Sequence, residues 1–214
     1  PDNDLLEKTA GSFNLLMIEE GKKDASFETV LKAAEKIRQA HIGDIRFTVV
    51  GNSDEIKEFR KKVNELALHD YFFFEGKKGE DETGKYIHVA DCMLMVTKKD
   101  MIDEYSIPEQ FINYMSACRP LIVSAGDQAR DIVRTAGCGF SSEPEDGQGL
   151  FENIIRAYKL SGEERLKMGM NAREYQMENF NRDNTLSALA GIIEGQDIKG
   201  TDPEVSSIRK LSDL

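Results

Sequence analysis

Short runs of strand-forming residues alternate with amphipathic helical segments along most of this 214-residue chain. Such runs, each followed by apolar residues at helical spacing, indicate buried strands that are connected by helices. This alternation with short connections predicts an α/β fold in which helices flank both faces of a parallel sheet. The predicted strands are Phe13–Ile18, Ile45–Val50, Tyr71–Phe74, Met93–Val96 and the run that Pro120 introduces, PLIVS.

The spacing of apolar residues also predicts the helices. Ser26 is a candidate N-cap for the first helix, because a serine oxygen can accept a backbone N–H of the first turn. Polar residues over Lys77–Gly84 predict a connection before a short helix at Tyr86–Ala90, and Gly137–Gly139 predicts a turn followed by a short apolar step. The other predicted helices are Glu55–Leu68, Glu109–Ala117, Ala129–Thr135, Gly149–Leu160, Glu163–Phe180 and Asn184–Glu194.

The predicted elements form one domain over residues 1–194, and the weakly periodic residues 195–214 predict a polar tail. The chain does not begin with methionine, so we expect a fragment or a processed product. No run approaches the ~18–20 apolar residues of a membrane span. The first residues also lack the basic and apolar regions of a signal peptide. We therefore expect a cytoplasmic protein without a transmembrane segment.

The net charge of −11 argues against a nucleic-acid partner, because phosphate neutralisation requires a basic face. The three histidines and three cysteines are scattered and match no metal-ligand spacing. We expect no bound metal and no cofactor, and we interpret Cys92, Cys118 and Cys138 as reduced core or near-core thiols.

Ligands of parallel sheets bind outside the carboxyl ends of the strands, where loops and helix N-termini meet. Four segments occupy such positions here, and we call them together the rim. They are Glu19–Lys22, Gly51–Ser53, Glu75–Lys77 and Lys98–Gln110.

The segment around Pro108 is the most informative part of the rim. Proline suits the start of a helix, because its missing N–H would have no partner there in any case. The free N–H groups of the first turn favour an anion such as a diphosphate. Asn113, one turn further along, could reach a ribose hydroxyl. The residues alone leave two interpretations open, an anion site or a plain helix–turn–strand.

The segment from Tyr105 to Ser124 resembles the signature of the C-terminal domain of retaining GT-B glycosyltransferases of family four, a helix and strand of the form P-(S/T)-K-x-x-E-Y-M-A-x-G-(K/R)-P-(V/I)-I-x-S. Other pieces follow in the family's order: FTVVGNSDE, FFFEGKK, HVADCMLMV, AGCGFSSEPED and ENFNRDN. The resemblance runs from about Phe13 to Glu194. It implies a Rossmann-like parallel sheet, and its Ser-Ile-Pro loop is most similar to transferases of bacterial surface-polysaccharide assembly.

The resemblance implies a UDP- or GDP-sugar as the donor substrate, with retaining and metal-independent transfer to an acceptor. The base of the nucleotide would lie against Gly76 and Lys77, and its phosphates at the helix that begins near Pro108. It assigns no catalytic residue. The implied donor-binding residues are Gly51, Asn52, Gly76, Lys77, Tyr105, Ser106, Ile107, Pro108, Glu109, Gln110 and Asn113.

The chain departs from the family at several of these positions. The family's two glutamates, eight residues apart, fall on Tyr105 and Asn113, and the lysine of its helix start falls on Gln110. Its diphosphate-binding arginine and lysine fall on Glu20 and Ala25. Lys22 and Lys23 are possible phosphate contacts, although neither is in register. Neutral hydrogen bonds are roughly half as strong as charge-assisted ones, so the predicted phosphate site is depleted.

In this family the acceptor site and the remaining catalytic groups lie on a separate N-terminal domain, which this chain does not contain. We therefore expect a half-enzyme that is inactive by itself and that needs this domain or a partner subunit, through which it could also contact a membrane peripherally. Two alternatives stay open. The chain could be a catalytically degenerate interaction or regulatory subunit, or a different nucleotide-binding protein that shares only the fold.

Overall fold

The computed structural model describes residue 5 and residues 9–19, 25–99 and 107–180. The chain divides into two compact units, residues 1–173 and 174–214. All of the strands described below lie in the first unit, and residues 174–180 of the second belong to the end of the last helix and its exit. The predicted boundary at residue 194 and the helix Asn184–Glu194 lie outside the described residues.

Six strands form one sheet within the described residues, and every pair of neighbours is parallel. The strand order is β3-β2-β1-β4-β5-β6. The predicted Rossmann-like α/β fold is therefore confirmed. The strands are β1 (Phe13–Ile18), β2 (Ile45–Val50), β3 (Phe72–Glu75), β4 (Cys92–Val96), β5 (Leu121–Ser124) and β6 (Gly139–Ser142).

Helices connect consecutive strands, and a single 3-10 turn at His69–Tyr71 leads into β3. Among the described residues, no helix is both long and apolar enough to cross a membrane. The helices are α1 (Phe27–Gln39), α2 (Asp54–Glu65), α3 (Glu80–Val89), α4 (Glu109–Ser116), α5 (Asp127–Ala136), α6 (Gly147–Tyr158) and α7 (Gly162–Asn179).

Both faces of the sheet are covered. Phe13, Leu15 and Met17 of β1 belong to one apolar cluster, to which buried residues of α1, α2 and α6 also belong. Leu16 lies outside that cluster but is only 1% exposed, so the opposite face is buried as well. Burial on both faces explains why the strands are continuous apolar runs and do not alternate with polar residues.

The strand order reverses beside β1. This strand pairs with β2 from Phe13↔Ile45 to Ile18↔Val50, but with β4 only at Leu15↔Cys92 and Leu16↔Met93. The carboxyl ends of β1 and β4 therefore diverge after a short pairing. Such a switch point is where parallel sheets of this kind bind ligands.

Three local predictions differ from the structure. Helix α3 begins at Glu80 and not at Tyr86, because Gly79 adopts an extended N-cap conformation and Asp81 and Glu82 follow in the first turn, where the helix dipole favours acidic side chains. The short step after Gly137 is a sixth strand, β6, which among the described strands pairs with β5 alone. Ser26 is the N-cap residue of α1 as predicted, but its side chain accepts no backbone N–H there, since its Oγ pairs with Thr29 Oγ1 at 2.7 Å.

The cysteines differ in their surroundings. Cys92 and Cys138 are fully buried, and burial raises the pKa of both thiols, that of Cys138 to about 12. Cys118 is half-buried at the end of α4. A raised pKa leaves very little reactive thiolate at pH 8. We therefore expect a thiol reagent to modify one of the three cysteines in the native protein and all three in urea.

The variant Cys118→Ser identifies which thiol reacts. It should abolish labelling of the native protein and leave two reactive thiols in urea. Labelling of two or three cysteines without denaturant would contradict the burial of Cys92 and Cys138.

Candidate functional site

A small cavity lies at the switch point between β1 and β4. Its walls include Ile18 and Glu19 at the end of β1, Val96 at the end of β4, and Gln110 and Tyr114 of α4. The cavity volume is about 40 Å³, whereas small-molecule pockets commonly enclose about 300–1,000 Å³. The described residues thus place a crevice where the topology predicts a ligand site, but one with a small volume.

Tyr114 and Gln110 tie α4 to the end of β1. The Tyr114 hydroxyl accepts the backbone N–H of Ile18 at 2.7 Å and donates to the Ile18 carbonyl at 3.2 Å. The Gln110 amide donates to the same carbonyl and to the Tyr114 hydroxyl. The pairing of β1 with β4 ends at Leu16. The side chains of Tyr114 and Gln110 therefore satisfy the backbone N–H and carbonyl of Ile18, which the sheet leaves without a partner on this side.

The start of α1 closes the crevice over β4. Ala25 forms an antiparallel bridge with Thr97, and the Ser26 N–H donates to the Val96 carbonyl at 3.3 Å. Thr97 is 3% exposed, and its Oγ1 has no hydrogen-bond partner among the described residues. A buried hydroxyl without a partner is costly, so this position is suited to a further polar contact.

Glu19 occupies the rim between β1 and β2. Its Oε2 accepts the N–H of Ser53 at 3.2 Å, and Ser53 Oγ in turn accepts the N–H of Ile56 as the N-cap of α2. Gly51 precedes them with φ +153°. A Cβ at Gly51 would lie 2.7 Å from Glu19 Oε2, so the turn requires glycine both for its backbone and for the space.

The loop after β3 carries a polar cluster. Glu75 Oε2 accepts the Tyr86 hydroxyl at 3.0 Å and lies 3.7 Å from Lys78 Nζ. Burial, reinforced by Glu75, raises the pKa of Tyr86, so its hydroxyl stays protonated and donates. Gly76 and Lys77, the predicted contacts of the base, are exposed beside this cluster.

The predicted phosphate segment begins α4 as expected, but Pro108 is the N-cap and not the first helical residue. Ile107 and Pro108 are half-buried, Glu109 is exposed, and Gln110 faces the crevice. Asn113, the predicted ribose contact, is exposed and does not line the cavity. The predicted contacts Lys22, Lys23, Tyr105 and Ser106 lie outside the described residues.

The structure therefore brings Gln110, Ile107 and Pro108 to the same end of the sheet as Gly51 and Asn52, while Asn113 lies outside the lining of the cavity. Sequence reasoning missed Tyr114 and the contact of Glu19. Tyr114 follows Gln110 by four residues, a spacing that places both side chains on one face of a helix. Within the described part of the chain, no three His, Cys, Asp or Glu side chains cluster as metal ligands would.

A family model described as "Glycosyl transferases group 1" matches residues 6–175 of the chain. A search of curated proteins found no match to the sequence. The fold of the chain is similar to that of several solved structures, which are described next.

A structure of HepE from Anabaena in complex with UDP and glucose superposes with a TM-score of 0.70 at 15% identity, over 90% of this chain and 51% of that one. A glycosyltransferase from Rickettsia africae gives a TM-score of 0.71 at 16% identity, over 89% and 50%. WaaG, a glycosyltransferase involved in lipopolysaccharide biosynthesis, gives 0.67 at 17% identity, over 90% and 50%. The chain thus spans about half the length of these structures, and at such identities the likeness establishes the fold.

Proposed function

Because the chain belongs to the glycosyl transferases group 1 family, we propose that it is the donor-binding half of a two-domain glycosyltransferase. The donor would be a nucleoside diphosphate sugar, UDP- or GDP-linked, and the product a polysaccharide or another glycoconjugate. The observation that carries this proposal is the crevice at the switch point of the parallel sheet, the place where sheets of this kind bind ligands. HepE, which has the same fold, was crystallised with UDP and glucose.

Each part of the rim has a proposed task. Gly76 and Lys77 would lie against the base, and Gly51 and Asn52 would line the side of β2. The backbone N–H groups of Ile107, Glu109 and Gln110 at the start of α4 would face the diphosphate together with Tyr105 and Ser106. Lys22 and Lys23 would add positive charge near the phosphates. Asn113, which lies outside the lining of the cavity, would bond a ribose hydroxyl once the crevice rearranges to bring the two together.

The proposed chemistry follows from this placement. Hydrogen-bond donors placed around the leaving diphosphate stabilise the negative charge that develops on it as the bond to the sugar breaks. Transfer would retain the anomeric configuration and need neither a metal nor a cofactor. The acceptor and the remaining catalytic groups would come from a second domain or subunit, so that this chain alone would not transfer sugar. Such an assembly would act in the cytoplasm, with membrane contact through the second domain.

Calorimetric titration with UDP, GDP and their sugars tests the proposal. We expect saturable binding of one of these nucleotides, and we expect Gln110→Ala and Asn113→Ala each to weaken it about fivefold, the effect of one neutral hydrogen bond of ~1 kcal/mol. Gln148→Ala is the matched control, because Gln148 lies on α6 and its hydrogen bonds to described residues stay within that helix and its cap.

No binding at millimolar concentration would refute the donor-binding function for this polypeptide. Equal affinities for the wild type and for both variants would move the site away from α4. Weakening by Gln148→Ala as well would indicate a general loss of stability.

One structural feature favours a second candidate, a catalytically degenerate regulatory or interaction subunit. Gln110, at the position of the family's lysine, donates its amide to the carbonyl of Ile18, so a phosphate would have to displace that contact. The crevice of about 40 Å³ has no room for a sugar nucleotide without rearrangement. Absence of nucleotide binding, together with stable association of the chain with a second polypeptide, would support this candidate.

A further inference from the structure

We propose that Glu19 is a specificity-determining residue of this rim: its carboxylate is a resident anion that opposes the binding of phosphate groups. The proposal rests on the donor-binding function above, and it identifies which side chain limits the affinity of that site. Removing the charge of Glu19 should tighten the binding of nucleoside diphosphates but not that of uncharged nucleosides.

Glu19 lies at the switch point of the sheet. It directly follows β1, the strand at the switch point, and it lines the crevice beside Gln110. Its backbone is held, since the N–H of Glu19 donates to the Val50 carbonyl at 2.8 Å. The backbone of Glu19 is therefore held where β1 meets β2, and its side chain lines the crevice that Gln110 also lines.

The carboxylate of Glu19 occupies a place that would suit a phosphate. Glu19 Oε2 accepts the N–H of Ser53, immediately before α2, and lies against the open side of Gly51. Backbone N–H groups at the start of a helix attract anions, and a glycine turn lets a ligand approach the backbone closely. Glu19 thus takes an N–H group and a space that a phosphate oxygen could otherwise take.

Acidic residues surround this corner of the rim. Asp54 and Glu55 also lie in the first turn of α2, and Lys57 pairs with Asp54 at 2.7 Å, so the carboxylates of this corner outnumber its cation. Among the described residues, no cation pairs with Glu19. A phosphate brought to this corner would therefore meet repulsion that grows with its own charge. The neutral parts of a donor, its base and ribose, would not.

Calorimetry with a charge series tests the inference. The ligands are UDP, UMP and uridine, with GDP, GMP and guanosine in parallel, titrated into the full chain. We expect Glu19→Gln to raise the affinity for the diphosphate about tenfold, since water and salt screen a half-buried charge only in part. The gain should be smaller for the monophosphate and absent for the nucleoside.

Glu163→Gln is the matched control. It removes the same charge, but at the opposite end of the sheet from the rim. Glu163 lies in the first turn of α7, and Arg165 of that turn pairs with Asp91 just before β4. Its affinities should equal those of the wild type. Thermal unfolding of each variant verifies that the fold is intact.

The outcomes separate this inference from the function on which it rests. Binding of the diphosphate by the wild type with no gain in Glu19→Gln, or with equal gains across the charge series, overturns the inference alone. Weaker binding in Glu19→Gln would show that Glu19 helps to bind the donor, and this result would also overturn the inference. Absence of binding in all three proteins would refute the donor-binding function, and this inference with it.

Discussion

Replacing Phe59 with alanine is expected to lower the free energy of unfolding by about 3–5 kcal/mol. Phe59 lies on α2 and is 2% exposed. Its ring stacks on Phe27 at 4.5 Å and meets Phe72 and Phe74 edge-on at 5.3 and 5.6 Å. Alanine would leave a cavity among rings that belong to two other elements, α1 and β3, so collapse of a single element would not fill it.

Urea unfolding followed by circular dichroism measures this loss. Phe73→Ala is the matched control, because Phe73 lies on the same strand as two of these rings, points to the other face of the sheet and is only half-buried. We expect it to cost about 1–2 kcal/mol, as partial exposure reduces the apolar area lost. Equal losses in the two variants would show that the ring cluster has no special weight.

Replacing Gly139 with alanine is expected to destabilise the protein by about 3 kcal/mol, because the added methyl group would overlap the neighbouring backbone. A Cβ at Gly139 would lie 1.9 Å from the carbonyl oxygen of Leu121 on β5. Strand β5 cannot shift to relieve the overlap, since it also pairs with β4 along its other edge. We expect β6 to separate from β5 at this point.

Gly84→Ala provides the control for this substitution. Gly84 lies inside α3, where a Cβ would meet no atom within 4 Å. Alanine there should raise the free energy of unfolding by about 0.5–1 kcal/mol, since glycine is a poor helix residue. Denaturant midpoints of the two variants should therefore move in opposite directions. A shift of both in the same direction would contradict the close approach at Gly139.

The elements that were predicted well are those with strong local signals. The apolar runs of β1, β2 and β4 are long enough to be identified from their composition, and the amphipathic pattern of α2 and α6 matches their buried faces. Strand β6 had no such signal, because it is short, contains only one large apolar residue, Phe140, and has three of its four residues half-buried. Its strand character comes from β5, to which it pairs residue by residue.

The candidate site divides in the same way. The rim followed from the sequence, since loops after parallel strands must meet at one edge. The inward turn of Gln110 and the contact of Tyr114 with Ile18 did not, because they depend on where β1 stops pairing with β4. Asn113, which the sequence placed at the ribose, is exposed.

The sequence by itself determined the α/β architecture and the edge of the sheet that carries the rim, because hydrophobic periodicity and chain order fix which segments are strands and where their carboxyl ends meet. Only the tertiary structure decided which side chains occupy that edge. Glu19 reaches Ser53 across 34 positions of the chain, and Tyr114 reaches Ile18 across 96. Contacts at such separations depend on the packing of whole elements, which no local pattern of residues encodes.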